Sequence, residues 1–227
     1  MVFRRKSNST ATTLRSPPAS RVSFARAHRG RIAAIAAGIA AAGLTLTTVF
    51  AWGASAQIHP RWDSGVYLPN ATPASVAAFG AWRGAPVDVA TVWPDRSTWN
   101  DFIDPAWLYQ IWKGSAVTVA FGEPMLPEGV AGVSIQACAA GSYDSYWRQF
   151  GTNISAYGLG NSIIRLGWEF NGNWYLWAAT NPAQWVQCWQ QIVTSARATA
   201  PGLQWDWNVN RGPSAGLADP TLAYPGN

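Results

Sequence analysis

The stretch Ser162–Phe170 reads SIIRLGWEF, and Asn181 with Pro182 then opens the segment AQWVQCWQQIVTSARA. A short run rich in Ile and Leu is typical of a buried strand, and Asn followed by Pro is typical of a helix start. The sequence therefore predicts a strand followed by a helix. A further strand, Leu203–Asn210, is predicted directly after that helix, so the stretch indicates a β-α-β unit.

The same alternation recurs three times on the amino-terminal side of this unit. Strands are predicted at Ser64–Pro69, Pro86–Trp93 and Ala116–Gly122, and helices after Thr72 and Pro73, at about Ser97–Lys113 and at about Tyr143–Tyr157. Strands separated by helices pair in parallel through right-handed crossovers. The chain is therefore predicted to be an α/β protein with about five β/α units.

Two architectures fit such a series, an open doubly wound sheet and a (β/α)8 TIM barrel. The first strand-helix turn lacks the glycine fingerprint of dinucleotide binding, and no phosphate-binding loop is present, so no cofactor is predicted. Polar residues gather after the predicted strands, where barrel enzymes keep their active sites; they are Asn70, Asp95, Glu123, Glu169, Asn171, Asn208, Asn210 and Arg211. This placement favours the barrel.

Length predicts that the barrel is incomplete. A TIM barrel has about 250 residues, whereas residues 57–227 number 227 − 56 = 171. We expect a barrel truncated after about five β/α units.

Residues 1–56 are predicted to be a targeting segment. Eight of the 16 basic residues lie within residues 1–31, and the first acidic residue is Asp63. Residues 32–53 carry no charge, and Ala54-Ser55-Ala56 follows. A basic region, an apolar region and an A-x-A site together indicate a secretory signal peptide, although the length also suits an uncleaved anchor. The domain 57–227 is then secreted, or anchored on the outer face of the cell membrane with lipid contact only through residues 32–53.

Charge and composition exclude two further classes. The net charge is +5, but from Gln57 onward 8 basic and 11 acidic residues give 8 − 11 = −3. No basic patch accompanies the aromatic residues there, which argues against nucleic-acid binding. An apolar content of 48% with 12% charged residues excludes charge-driven disorder. The oligomeric state is left open.

The two cysteines, Cys138 and Cys188, both lie in the domain that is predicted to be exported. An oxidising compartment allows one disulfide between them, and two buried thiols are the alternative. The only histidines are His28 and His59, so no metal-site spacing exists.

The densest motif is Arg165–Trp177, RLGWEFNGNWYLW, in a chain with 15 Trp residues. In an enzyme that cleaves glycosidic bonds, a carboxyl group protonates the leaving oxygen, amides hold the sugar hydroxyls and indoles stack on the rings. Strand alternation predicts Arg165 and Glu169 on the same side of the sheet. The alternative is that Glu169 is a structural acid paired with Arg165.

This motif resembles the fourth-strand signature of glycoside hydrolase family 26. The specific part is Ile164–Trp177, where Glu169, Asn171, Gly172 and Trp174 match the pattern. The resemblance implies a retaining (β/α)8 barrel that acts on β-mannan or on a related β-glucan or xylan of plant or microbial origin. It also implies that Glu169 is the general acid/base.

A second region of the chain is similar to the family, and two features differ from the family pattern. Trp205–Gly212, WDWNVNRG, is similar to the fifth-strand region of the family. Trp168 stands where the mannanases carry His, which leaves the substrate subclass open. The family's nucleophile is a Glu on strand seven, which we expect beyond Asn227.

The candidate site therefore comprises Glu169 as the catalytic residue and seven substrate-binding residues, Asn171, Trp174, Trp168, Arg165, Glu123, Trp177 and Asn208. Alternatively, Glu123 is a second catalytic carboxylate. Asp206 is expected to be an inward structural acid. The alternative to a hydrolase is a polysaccharide-binding protein or an inactive fragment of such an enzyme.

Overall fold

The computed structural model describes residues 62–212 and 215–226. Five strands form one sheet: β1 (Gly65–Tyr67), β2 (Val89–Val92), β3 (Thr118–Glu123), β4 (Ile163–Leu166) and β5 (Gln204–Trp205). Their order across the sheet is their order in the chain, and every neighbouring pair is parallel. The predicted α/β fold with a parallel sheet is confirmed.

Helices alternate with these strands. They are α1 (Pro73–Arg83), α2 (Trp99–Ile103), α3 (Ala106–Trp112), α4 (Ile135–Ala139), α5 (Asp144–Ala156) and α6 (Pro182–Arg197), and a 3-10 helix follows at Pro220–Ala223. The predicted helix starts are confirmed at both Pro residues. The Thr72 hydroxyl accepts a hydrogen bond from the Ser75 amide, and the Asn181 side chain accepts one from the Gln184 amide. These bonds satisfy amides that a helix start leaves unpaired.

The structure differs from the sequence prediction in several elements. The helix expected at about Ser97–Lys113 is broken into α2 and α3 at Asp104 and Pro105, since Pro has no N–H to donate and its ring crowds the preceding turn. Both β4 and β5 are shorter than predicted, and β4 ends at Leu166 because Gly167 has a left-handed φ of 58°. Helix α4 was not predicted.

The two faces of the sheet have different surroundings. One face, called here the helix face, buries alternate residues such as Ala90 and Val92 of β2 and Ile164 and Leu166 of β4. On this side α2 packs on α5, and α5 packs on α6. The opposite face, called the open face, carries the residues between them, which are half-buried in β2 and β4. A cleft lies over the open face.

A disulfide joins Cys138 of α4 to Cys188 of α6, with 4.9 Å between their Cα atoms. Both cysteines are buried in the core cluster. The bridge fixes the short α4 against the longest helix of the described chain.

The predicted targeting segment, residues 1–56, lies outside the described residues, as does its apolar stretch 32–53. Among residues 62–212 and 215–226, no helix has the length and apolar character needed to cross a bilayer.

Candidate functional site

An aromatic stack lies at the carboxyl ends of β2 and β4; we use this name for Trp93, Trp168, Tyr175 and Trp177. Trp93 follows β2 directly, and its ring covers Gly122 of β3 so closely that a Cβ there would come within 1.9 Å of the indole. Trp168 meets Trp93 edge to face at 4.5 Å between ring centroids. The close approach explains why position 122 is glycine.

The stack continues away from the sheet. Tyr175 lies nearly parallel to Trp177 at 4.4 Å, and Trp168 meets each of them edge-on. The Arg96 guanidinium lies 5.8 Å from the centre of the Tyr175 ring and forms an ion pair with Glu128 at 2.8 Å. One end of the stack is therefore covered by a cation whose charge is already matched.

At the other end of the stack, Arg165 of β4 lies with its guanidinium 5.7 Å from the centre of the Trp93 ring. Its Nε donates a hydrogen bond to Asp206 Oδ2 at 3.0 Å. Arg165 therefore pairs with Asp206 and not with Glu169, so the alternative in which Glu169 is the structural partner of Arg165 is wrong. Asp206 lines the cleft over the open face, and its side chain is 39% exposed.

The turn after β4 carries Glu169. The Gly167 amide donates to the Glu123 carbonyl at 2.8 Å, and a Cβ at Gly167 would come within 2.6 Å of Met125 Sδ. Glu169 itself has a left-handed φ of 54°, and its amide donates to the Asn208 carbonyl at 2.9 Å. Two left-handed residues end the strand alternation, so alternation does not fix the side of the sheet that Glu169 faces.

The Glu169 side chain is half-buried. Within the part of the chain that the structure describes, no hydrogen bond or ion pair engages its carboxylate. A left-handed backbone costs a residue with a Cβ on the order of 1 kcal/mol, and such strain is concentrated at functional sites. The strained, unpartnered carboxylate is therefore the strongest candidate for contact with a ligand.

The predicted substrate-binding residues separate into two groups. Trp174 is 48% exposed, and Asn208 and Arg165 are half-buried, so these three border the site. Trp168 and Trp177 are buried, and the Trp177 indole N–H donates to the Trp168 carbonyl at 2.9 Å. The two buried indoles form the base of the site and do not line its surface.

Asn171 is also buried, and its side-chain amide joins two loops. Its Nδ2 donates to the Asn210 carbonyl at 3.0 Å, and its Oδ1 accepts from the Asn210 amide at 2.8 Å. This pair holds the segment after β5 against the turn that carries Glu169.

Glu123, the last residue of β3, lies on the helix face with 0% exposure. Neither carboxylate oxygen has a hydrogen-bond partner among the described residues, and burial raises its pKa well above the usual value. Burial also raises the pKa of Tyr109, and the nearby Glu123 adds to that rise. Burial therefore favours the neutral form of Glu123 and puts this residue out of reach of a substrate that arrives from solvent.

Three residues of this region were missed in the sequence analysis, Trp93, Arg96 and Tyr175. The signal for Trp93 was available, because it is the last residue of a predicted strand. Arg96 and Tyr175 lie in irregular segments, and only the folded chain brings them together.

Comparison with family models and with curated proteins finds no match for this chain. The likeness to glycoside hydrolase family 26 therefore rests on the motif around Glu169. No group of His, Cys, Asp and Glu able to hold a metal ion occurs within residues 62–212 and 215–226.

Proposed function

We propose that this chain belongs to an exported, retaining, endo-acting β-glycoside hydrolase in which Glu169 is the general acid/base. The substrate class that the motif favours is β-mannan or a related β-glucan or xylan. The observation that carries the proposal is the unpartnered Glu169 carboxylate beyond the carboxyl end of β4, in a strained turn beside the aromatic stack. Parallel β/α sheets keep their catalytic groups at this end.

The surroundings of Glu169 suit this chemistry. In a retaining hydrolase one carboxylic acid protonates the leaving oxygen and then, as a base, activates the water that releases the sugar. A carboxylate without a protein partner is free to make both contacts. Trp174 offers an exposed indole face on which a pyranose ring can stack.

The proposed complete fold is a (β/α)8 barrel, of which the five described strands form part. Three features support this: the strand order follows the chain without the reversal of a doubly wound sheet, β2 and β4 bury one face and leave the other half-buried, and the open face carries the Arg165–Asp206 ion pair. Ionic and half-buried side chains on that face are suited to a barrel interior.

A second candidate function is polysaccharide binding without cleavage, and the state of the other carboxylates favours it. A retaining enzyme needs two carboxyl groups about 5–5.5 Å apart. Within the described chain Glu128 is paired with Arg96, Asp206 is paired with Arg165, and Glu123 is buried. In the hydrolase proposal the nucleophile is a Glu of a seventh strand beyond residue 227, as the family resemblance implies.

For location, we propose export directed by residues 1–56. The domain from Gln57 onward is then either released or held on the outer face of the membrane by residues 32–53, which carry no charge.

The test measures binding and hydrolysis of β-mannan, mixed-linked β-glucan and xylan by a protein that includes the proposed seventh-strand nucleophile, and by Glu169→Gln in the same protein. Asp101→Asn is the matched control, since it removes one charge from the cap of α2. Hydrolysis that Glu169→Gln abolishes and the control retains supports the enzyme. Binding by all three proteins without hydrolysis supports the second candidate, and absence of both binding and hydrolysis contradicts both proposals.

A further inference from the structure

Helix α1 is apolar on nearly every side and yet poorly covered. Its sequence, PASVAAFGAWR, has no acidic residue and one basic residue, Arg83, in the last turn. Only Val76 and Gly80 of its 11 residues are buried. A helix that is apolar all round is normally buried in a larger core or in lipid. The described part of the chain leaves this helix largely exposed.

Two Trp residues extend the apolar surface. Trp82 in α1 is 80% exposed and Trp62 is 73% exposed, the two highest values among the large exposed hydrophobic residues of the described chain. A groove of about 870 Å³ lies beside α1, lined by Ala77, Ala81 and the residues that precede β2 and β3. Exposed apolar surface of this extent marks an interaction site.

This surface lies at the amino-terminal end of the sheet. Helix α1 runs back from the carboxyl end of β1 to the start of β2, which places Trp82 in its final turn beside the strand starts. Trp62 lies three residues before the start of β1 (65 − 62 = 3). The turn that carries Glu169 lies at the opposite, carboxyl-terminal end of the same parallel strands.

Two of the charged groups next to this surface are engaged within the protein. Arg83 donates hydrogen bonds to Ser64 Oγ at 2.7 Å and to the Ala85 carbonyl at 2.9 Å. The Asp88 carboxylate accepts from the Ser64 amide at 2.8 Å. Asp63 also lines the groove and is exposed. The outward surface is therefore mainly methyl groups and indoles with one acidic residue, which suits a mainly apolar partner.

The adjoining sequence indicates which partner is within reach. The uncharged stretch 32–53 ends nine residues before Trp62 (62 − 53 = 9). The eight intervening residues, 54–61, span at most about 29 Å when fully extended. Trp is enriched at the boundary between bilayer and water, because its ring is apolar and its N–H is polar.

We propose that the surface formed by Trp62, Ala77, Ala81 and Trp82, called here the α1 surface, lies in the interfacial layer of a lipid bilayer. The inference rests on the proposed anchoring by residues 32–53. It adds an orientation to the proposed function. Because all strands run away from the α1 surface, the Glu169 end of the sheet points away from the lipid and toward polysaccharide outside the cell.

The experiment uses the full chain in phosphatidylcholine vesicles, with an environment-sensitive fluorophore on Ala81→Cys. The matched control is Asn173→Cys, an exposed site in the turn after β4. Both native cysteines are held in the disulfide, so the label reaches only the new thiol. We expect a blue shift and quenching by spin-labelled lipid at position 81, and neither change at position 173.

A second pair of measurements separates docking from anchoring. The double variant Trp62→Ser, Trp82→Ser should abolish the blue shift of the fluorophore at position 81. The same variant should still resist extraction from the vesicles with alkaline carbonate. If the chain stays on the vesicles after carbonate extraction but the label at position 81 is as exposed to water as the label at position 173, the docking of the α1 surface is wrong and the anchoring stands. Release by carbonate overturns both the anchoring and the docking, whereas hydrolysis of glycan is measured independently. Ala77→Cys repeats the test if the label at position 81 disturbs folding.

Discussion

Glu123 ends β3 and Glu169 follows β4, and these two parallel strands are neighbours in the sheet, yet the surroundings of the two glutamates are opposite. Glu123 retains strand geometry and shares the helix face with Phe121, which places it in the core with no exposed surface. Glu169 comes after the left-handed Gly167, is left-handed itself and is half-buried. A position at a strand end therefore does not determine the role of a carboxylate. The backbone of the last few residues decides whether it is buried in the core or remains partly exposed.

The electrostatic consequence follows from this geometry. Removal from water penalises the charged form of Glu123, and no described group compensates by donating a hydrogen bond. Glu169 retains partial contact with solvent and has no described partner. Burial of Glu123 therefore destabilises the native state when this carboxyl is charged, whereas the Glu169 carboxylate remains partly accessible to solvent.

The largest effect expected from the difference between Glu169 and Glu123 is a loss of hydrolytic activity when Glu169 is replaced. In a protein that shows hydrolysis, Glu169→Gln should lower the rate about 10²–10⁴-fold on natural polysaccharides, which is the usual contribution of a general acid/base. The loss should be smaller for the glycosylation step with activated aryl leaving groups, because these need little proton donation. Pre-steady-state kinetics with both substrate types measures this difference, and an equal loss on both would contradict the acid role.

The left-handed turn itself is tested by Gly167→Ala. The new Cβ would meet Met125 in a backbone region that side chains disfavour, so we expect a loss of about 2–5 kcal/mol in the free energy of unfolding. Gly158→Ala is the matched control, with φ of 76° and nothing within 4 Å of the new Cβ. Urea unfolding should show the larger loss for Gly167→Ala, and equal losses would show that packing against Met125 is unimportant.

The burial of Glu123 predicts a pH dependence of stability. Because its folded-state pKa is raised, the native protein keeps a proton that the unfolded chain releases above about pH 4.3. The stability of the native protein should therefore fall as the pH rises from there toward the folded-state pKa.

Glu123→Gln should flatten this profile, because Gln has no proton to lose. At about pH 8 we expect the variant to be more stable than the native protein, by about 1.4 kcal/mol for each pH unit between the unfolded-state pKa and the raised folded-state pKa of Glu123. Urea unfolding at several pH values measures it. Parallel profiles for the two proteins would show that Glu123 is solvated.

The smallest expected effect concerns backbone strain at Glu169. Glu169→Gly should leave stability unchanged or raise it by about 1 kcal/mol, because glycine adopts a left-handed φ without penalty, while the proposed activity is lost. Asn70→Gly is the comparison, since Asn70 has the same φ of 54° and Asn tolerates that region better. Thermal unfolding should therefore show a smaller gain at position 70, and a loss at position 169 would contradict the strain.

The sequence was sufficient for the order of strands and helices, because apolar runs and the caps at Thr72 and Asn181 are local signals. It also contained a signal that was not used. Pro105 lies inside the helical pattern, and a Pro there usually ends a helix.

The parts of the site that were not predicted depend on the backbone and on distant contacts. Strand alternation placed Arg165 and Glu169 on one side, and the left-handed turn at Gly167 ends that alternation. The partner of Arg165 is Asp206, 41 residues away, which no local pattern identifies. The burial of Glu123 could have been predicted from the sequence. Strand alternation in β3 places Glu123 on the same face of the sheet as the buried Phe121.

The disulfide between α4 and α6 links the fold to the compartment in which the chain matures. By the loop-entropy relation a bridge that encloses about 50 residues contributes about 4 kcal/mol of stability. In a reducing cytosol both cysteines remain thiols, and the chain lacks this contribution. Under the proposed export, the β/α domain is least stable before translocation, when export machinery requires an unfolded chain, and gains its full stability only in an oxidising environment.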